Sequence, residues 1–306
     1  MKILILGIDK ENAVAVSNIM ANIFLLFSKE HSDFSFTSVG WGPKDEHAFN
    51  NANFESYYFK NPLKTFCNKA VRKIQRALKI DCPLFTWKKL FNKTKRMIDC
   101  IQYDIFIGAS GHFLYIKTAF ELAKHYSKRF IPIYFDPFTK NFLSTNYKRR
   151  KKEELKWAEL SDFIFYDADA TLPEFDEFNS KKIPFFIPIF PKNETKSTDN
   201  KIVYGGIFYK GFRGPEPFEK FLEKNSESTY RFLVYSNLKK LRKHFNNCTL
   251  YPMQNYETYS RICEDAAALI VIGNGRQTDI FPSKLLEAFS FKKPVILINF
   301  DNPYNL

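Results

Sequence analysis

The chain has 306 residues, 45% of them apolar, an ordinary share for a globular protein and enough to close two cores. Its formal charge of +13 attracts polyanions, meaning nucleic acid, anionic lipid or phosphorylated substrates, and does not by itself choose among them. The five cysteines, Cys67, Cys82, Cys100, Cys248 and Cys263, are odd in number and lack CxxC spacing, which argues against a zinc site or a disulfide framework and fits a reducing cytoplasm.

The opening apolar run is too short for a signal peptide and reads as a strand, Lys2 to Ile8, followed by an apolar helix from Ala13 to Phe27. No run here is long enough to span a bilayer, so no transmembrane helix is expected. Gly7 admits two readings, a tight turn or a point where a ligand approaches the backbone. Phe34 to Trp41 is a second strand and Glu55 to Phe59 a third. Between Lys60 and Arg96 stand twelve Lys or Arg against one acid, Asp81. They fall on two amphipathic helices. The first stacks Leu63, Phe66, Ala70, Ile74 and Leu78. The second, after Pro83, stacks Trp87, Phe91 and Ile98 against Lys88, Lys89, Lys93 and Arg96. Either these cations are merely solvated, or they dock the protein on an anionic membrane.

Asp104 to Ala109 is a strand, Phe113 to Tyr126 a helix, and Arg129 to Phe135 another strand. Loops at the carboxyl ends of strands in an open parallel sheet face the ligand crevice, which makes His112 and Asp136 candidate catalytic residues. A lone loop histidine also serves structure. Lys148 to Leu160 is helix, Asp162 to Tyr166 strand, and Lys181 to Phe190 extended. Residues 191–200 are polar without apolar periodicity and read as a linker between domains 1–190 and 201–306. After it the pattern restarts. Ile202 to Tyr204 is a strand, and Gly205-Gly206 opens a loop running through Lys210 and Arg213 into a helix, Pro215 to Glu223. Then come a strand at Tyr230 to Tyr235, a short helix at Leu238 to Phe245, a strand at Thr249 to Met253, a helix at Tyr256 to Asp265 and a strand at Ala268 to Ile272.

The most informative stretch is Ile280 to Asn299, IFPSKLLEAFSFKKPVILIN. Pro282 and Ser283 start a helix, Leu285, Leu286 and Phe289 give it an apolar stripe, and Lys292-Lys293-Pro294 ends it before a buried strand, Val295 to Ile298. A helix N-terminus favours a phosphate, and Lys284 strengthens that site. Glu287 lies on the same face, where a carboxylate accepts ribose hydroxyls. A solvated Lys–Glu pair has the same spacing.

These residues resemble the donor-binding segment of GT-B glycosyltransferases, especially retaining family 4 and its bacterial relatives, which carry Pro-Ser-Lys-x-x-Glu followed by Gly-Lys-Pro-Val. The resemblance implies that Lys284 contacts the donor diphosphate and Glu287 the nucleotide ribose. Asp279 stands at the first acidic position of the family's Glu-x7-Glu pattern, one methylene short, and Lys292 stands where the family has Gly. The resemblance further implies that Gly205, Gly206 and Arg213, with Lys210 second, contact the donor phosphates, and it places Ser283 beside them. An arginine fork suits two phosphate oxygens.

The fold so implied is α/β of the GT-B type, two Rossmann-like domains with parallel sheets facing a cleft, an N-terminal acceptor domain and a C-terminal donor-nucleotide domain. Family members continue with a further strand and helices, so the second domain is expected to be a short or incomplete form. The implied activity is retaining transfer of a hexose from a nucleotide diphosphate sugar to a polysaccharide or lipid-linked acceptor, such as lipopolysaccharide, in bacterial envelope synthesis. No metal, no cofactor and no nucleic-acid partner are expected, and the site of action is the cytoplasm or the inner face of its membrane. Alternatives are a GT-B sugar epimerase, a basic nucleic-acid-binding protein and a catalytically silent scaffold.

Overall fold

The structure, a computed structural model, describes residues 1–8, 15–42, 53–59, 83–109, 113–135, 147–167, 176–185, 200–208, 214–254, 256–273 and 283–298. The chain divides into two compact units, Met1–Phe186 and Ile187–Leu306, each built on its own parallel sheet. The predicted helix over 63–78 and residues 191–199 of the predicted linker lie outside the described residues.

Unit one runs β1 (Lys2–Leu6), α1 (Ala15–Glu30), β2 (Ser35–Trp41), β3 (Phe54–Phe59), α2 (Pro83–Met97), β4 (Ile105–Ala109), α3 (Phe113–Tyr126), β5 (Arg129–Tyr134), α4 (Tyr147–Leu160), β6 (Ile164–Asp167) and β7 (Lys182–Phe185). The strands pair in the order β3-β2-β1-β4-β5-β6-β7, all parallel. Runs such as Ile3–Leu6 and Ile105–Ala109 are buried residue after residue, because a parallel sheet is covered on both faces. Contact between β4 and α3 is so close that a Cβ on Gly108 would stand 2.6 Å from the Ile116 Cα.

Three helices of this unit are tied by one buried cation. Lys117 of α3, only 8% exposed, holds Glu121 and Glu153 at 2.7 Å each, and its ammonium lies 5.5 Å from the Trp87 ring of α2 and 5.1 Å from that of Phe120. Burial alone would raise the Glu153 carboxyl, but Lys117 and Lys156 bonded to it hold it below its ordinary range. At the C-terminus of α4 the Lys181 ammonium donates to the carbonyls of Ala158, Glu159 and Ser161, capping the helix from the side. Lys88, Lys89, Asn92, Lys93 and Arg96 form the exposed stripe of α2, with Met97, its last residue, 44% exposed and Ile101, beyond the helix end, 61% exposed.

Unit two contains β8 (Lys201–Gly206), α5 (Glu216–Lys224), β9 (Arg231–Ser236), β10 (Cys248–Pro252), α6 (Tyr256–Glu264), β11 (Ala268–Ile272), α7 (Ser283–Ser290) and β12 (Val295–Ile298). The order β10-β9-β8-β11-β12 repeats that of the five strands β3 to β5 in unit one. One face packs Tyr204, Phe232 and Ile270 against Phe218 and Leu222 of α5; the other packs Val203, Leu233 and Leu269 against Leu285 and Ala288 of α7 and Phe291.

Two expectations are corrected here. Leu238 to Phe245 is not a helix. Its backbone is held from outside: the Leu238 N–H bonds the Ser236 hydroxyl at 3.1 Å, and the Arg242 N–H donates to the Glu219 carboxylate of α5 at 2.6 Å. On α7 the buried face is Leu285 and Ala288, whereas Phe289, expected in the apolar stripe, is 42% exposed. Three-residue steps from Leu285 carry the inner face through Ala288 to Phe291 and turn Phe289 outward.

Lys292 explains its own oddity. Its φ is +53°, the left-handed conformation of a helix C-terminal cap, where glycine is favoured and a lysine is strained.

Candidate functional site

A doubly wound sheet offers its ligand crevice at the carboxyl ends of the strands where the order reverses. In unit two that point lies between β8 and β11. Gly205 and Gly206 end β8, Ser283 begins α7, and Lys284 and Glu287 follow on its first turns. Gly205, Lys284 and Glu287 line one recess together with Tyr204, Tyr259 and Ile272. At about 20 Å³ it has room for a single water, so these side chains form a floor and not a container for a diphosphate.

The lysine is held on two sides. Its ammonium is bonded to the Glu287 carboxylate and stands 5.0 Å from the ring centroid of Tyr259, on α6. Glu287 is the more sheltered partner, with its side chain 12% exposed against 35% for Lys284. The Tyr259 phenol is pushed well above its ordinary value, first by burial and then by Cys263 and Glu287 nearby, so it stays protonated. Its ring meets that of Tyr235 edge-on at 6.4 Å, and Tyr235 stacks on Tyr251 at 4.9 Å.

Each glycine of the β8 end has a tyrosine against it. A Cβ on Gly205 would stand 2.2 Å from two carbons of the Tyr259 ring, and one on Gly206 would stand 2.8 Å from the Tyr204 hydroxyl. Two residues on, the Asn237 side chain accepts from the Phe208 N–H at 2.8 Å and donates to its carbonyl at 3.1 Å, which fixes the direction in which the loop leaves the sheet.

Of the residues proposed from sequence, Gly205, Lys284 and Glu287 meet at this floor, with Gly206 one residue further along β8 and Ser283 heading α7. Lys210, Arg213 and Asp279 lie outside the described residues, as do His112 and Asp136. Gly7 has φ +122°, and a Cβ there would press Ala109 at 3.1 Å, so its conformation and the neighbouring β4 account for it. Burial pushes the Cys248 thiol up to about 11, and burial with Asp99 does the same to Cys100, so neither is a thiolate at neutral pH. Sequence reasoning passed over Tyr259. The only local signal was a tyrosine, in place of an aliphatic residue, on the inner side of α6.

No protein-family model and no curated protein matches the chain. Solved structures do. An α-glucosyltransferase in complex with UDP-glucose and DNA containing an abasic site is 11% identical, covering 97% of this chain and 79% of its own, with a TM-score of 0.59. A lipopolysaccharide outer core galactosyltransferase is 12% identical, covering 97% and 80%, with a TM-score of 0.52. The UDP-GlcNAc 2-epimerase from Neisseria meningitidis, bound to UDP-GlcNAc, is 11% identical, covering 97% and 82%, with a TM-score of 0.55. With two parallel-sheet α/β units of seven and five strands and these neighbours, the chain has the GT-B fold.

Proposed function

We propose that the chain is a glycosyltransferase that moves a hexose, with retention, from a nucleotide diphosphate sugar to a glycan or lipid-linked acceptor of bacterial envelope synthesis. The observation that carries this reading is the meeting of Lys284, Glu287 and Gly205 at the reversal point of the second sheet. Transfer breaks the bond between the anomeric carbon and the diphosphate oxygen, which leaves with the electron pair. The acceptor hydroxyl forms the new bond and gives up its proton. The Lys284 ammonium would offset charge on the leaving diphosphate and Glu287 would accept the ribose hydroxyls, with Arg213 and Lys210 as further phosphate contacts. His112 and Asp136 are the candidates for handling the acceptor proton. No resident metal or cofactor is part of the proposal. No helix among the described residues is long and apolar enough to cross a membrane; the basic stripe of α2 supports peripheral attachment to the inner leaflet of the cytoplasmic membrane.

The test is a thermal-shift screen against UDP, GDP, CDP and ADP and their sugars, in which a ligand at 100 times its dissociation constant adds about 2.7 kcal/mol of stability. Silence toward every nucleotide would overturn the proposal. The epimerase among the neighbours favours one second reading, a nucleotide-sugar epimerase. An epimerase changes the sugar with no acceptor present, whereas a transferase releases nucleoside diphosphate only when an acceptor is supplied. Duplex DNA belongs among the acceptors tried, given the net charge of +13 and the DNA bound by one neighbour.

A further inference from the structure

A lysine side chain has four rotatable bonds, and one carboxylate on its own helix leaves the ammonium several places to stand. At the floor of this site a second helix removes that freedom. The Tyr259 ring of α6 lies under the Lys284 ammonium of α7, at 5.0 Å to its centroid. That ring is itself fixed, edge-on to Tyr235, which is stacked on Tyr251. It also imposes a cost elsewhere. A glycine inside a strand weakens the strand, yet β8 carries glycine at position 205, where any Cβ would collide with Tyr259. An aliphatic residue on α6 would have filled the core and left position 205 free to carry a side chain. A glycine that weakens its strand therefore makes room for one ring, and what that ring does beyond packing is hold a cation.

We infer that Tyr259 is the positioning residue of Lys284: its ring is the seat on which the ammonium is presented to a diphosphate, and Gly205 makes room for that seat. The inference rests on the reading of Lys284 as a diphosphate contact, and the experiment separates the two. Inorganic pyrophosphate, which needs no base or sugar, is titrated by calorimetry at low salt into the full chain and its variants. Lys284→Ala weakens binding at least about tenfold. Tyr259→Leu weakens it roughly three- to tenfold, while Tyr259→Phe, which keeps the ring, stays within about twofold of the parent. The double variant Lys284→Ala/Tyr259→Leu binds no more weakly than Lys284→Ala alone, because the seat has lost its occupant. Unchanged affinity in Tyr259→Leu, or an equal further loss on top of Lys284→Ala, overturns the inference. Unchanged affinity in Lys284→Ala sinks the diphosphate reading instead. Should Tyr259→Leu fail to fold, the parent protein decides. With lysine labelled for NMR, the Lys284 methylene protons, assigned by their loss in Lys284→Ala, are shifted upfield by the ring current. Signals at the position of a solvated lysine refute the seat.

Discussion

Glu287→Gln separates the two tasks given to α7. The carboxylate is bonded to the Lys284 ammonium, and so competes with any diphosphate for the same cation. A diphosphate held by Lys284 would stand about 6 Å from that carboxylate, where two unit charges repel by about 0.7 kcal/mol in water and about 2.8 kcal/mol at an effective dielectric of 20. The Lys284 side chain is 35% exposed, so screening brings the value toward the lower end, about 1 kcal/mol. Removing the charge while keeping the shape should therefore tighten inorganic pyrophosphate by about fivefold. Nucleoside binding should move the other way, losing about 1 kcal/mol, because a neutral amide accepts ribose hydroxyls less strongly than a carboxylate. Glu287→Ala should lose more nucleoside affinity than Glu287→Gln. Calorimetry with pyrophosphate, uridine and UDP on each variant resolves the two effects. Weaker pyrophosphate binding in Glu287→Gln would refute the competition, and would mean that the ion pair prepares the lysine for its ligand.

Three further outcomes are expected. Glu153→Gln should cost about 1 to 2 kcal/mol at pH 7, as a charge-assisted bond to buried Lys117 is lost. Because the folded carboxyl titrates below its ordinary 4.5, the stability it adds is present above that value and disappears as pH falls through the lowered one, so denaturation curves of parent and variant should converge near the acid end. Lys292→Gly should stabilise unit two by about 0.5 to 1 kcal/mol in urea denaturation, by relieving a left-handed lysine; a loss of stability would count against the cap geometry. Lys89→Gln/Arg96→Gln, on the exposed stripe of α2, should weaken sedimentation with anionic vesicles about 30-fold, at about 1 kcal/mol per charge, and leave neutral vesicles unaffected. Equal binding of the parent protein to both vesicle types would remove the membrane proposal.

Much of the architecture could be read in advance because a parallel sheet covered on both faces writes each strand as an unbroken apolar run, as Ala268–Ile272 does. Lys284 and Glu287 were legible for a different reason: both lie on one helix, and their spacing is a local property of that helix. The segment from Leu238 to Phe245 misled for the same reason, since Leu238, Leu241 and Phe245 recur at helical spacing, while the bond that decides their path comes from Glu219 on another element. Tyr259 was invisible because its meaning depends on Gly205 and Lys284, which are distant in sequence and meet only when β8, α6 and α7 have packed.

The strand order has a bearing on how the protein is made. In unit one the first strand to emerge from the ribosome, β1, ends up between β2 and β4, and the same holds for β8 between β9 and β11. Each later strand docks on an edge that already exists: β2 and then β3 extend one side, and β4 through β7 extend the other. None of the described strands has to be threaded between two partners already paired. A nascent chain can therefore build each sheet outward from its centre in the order of synthesis. At every stage one of the two exposed edges is the one that the next strand, still to be translated, will cover.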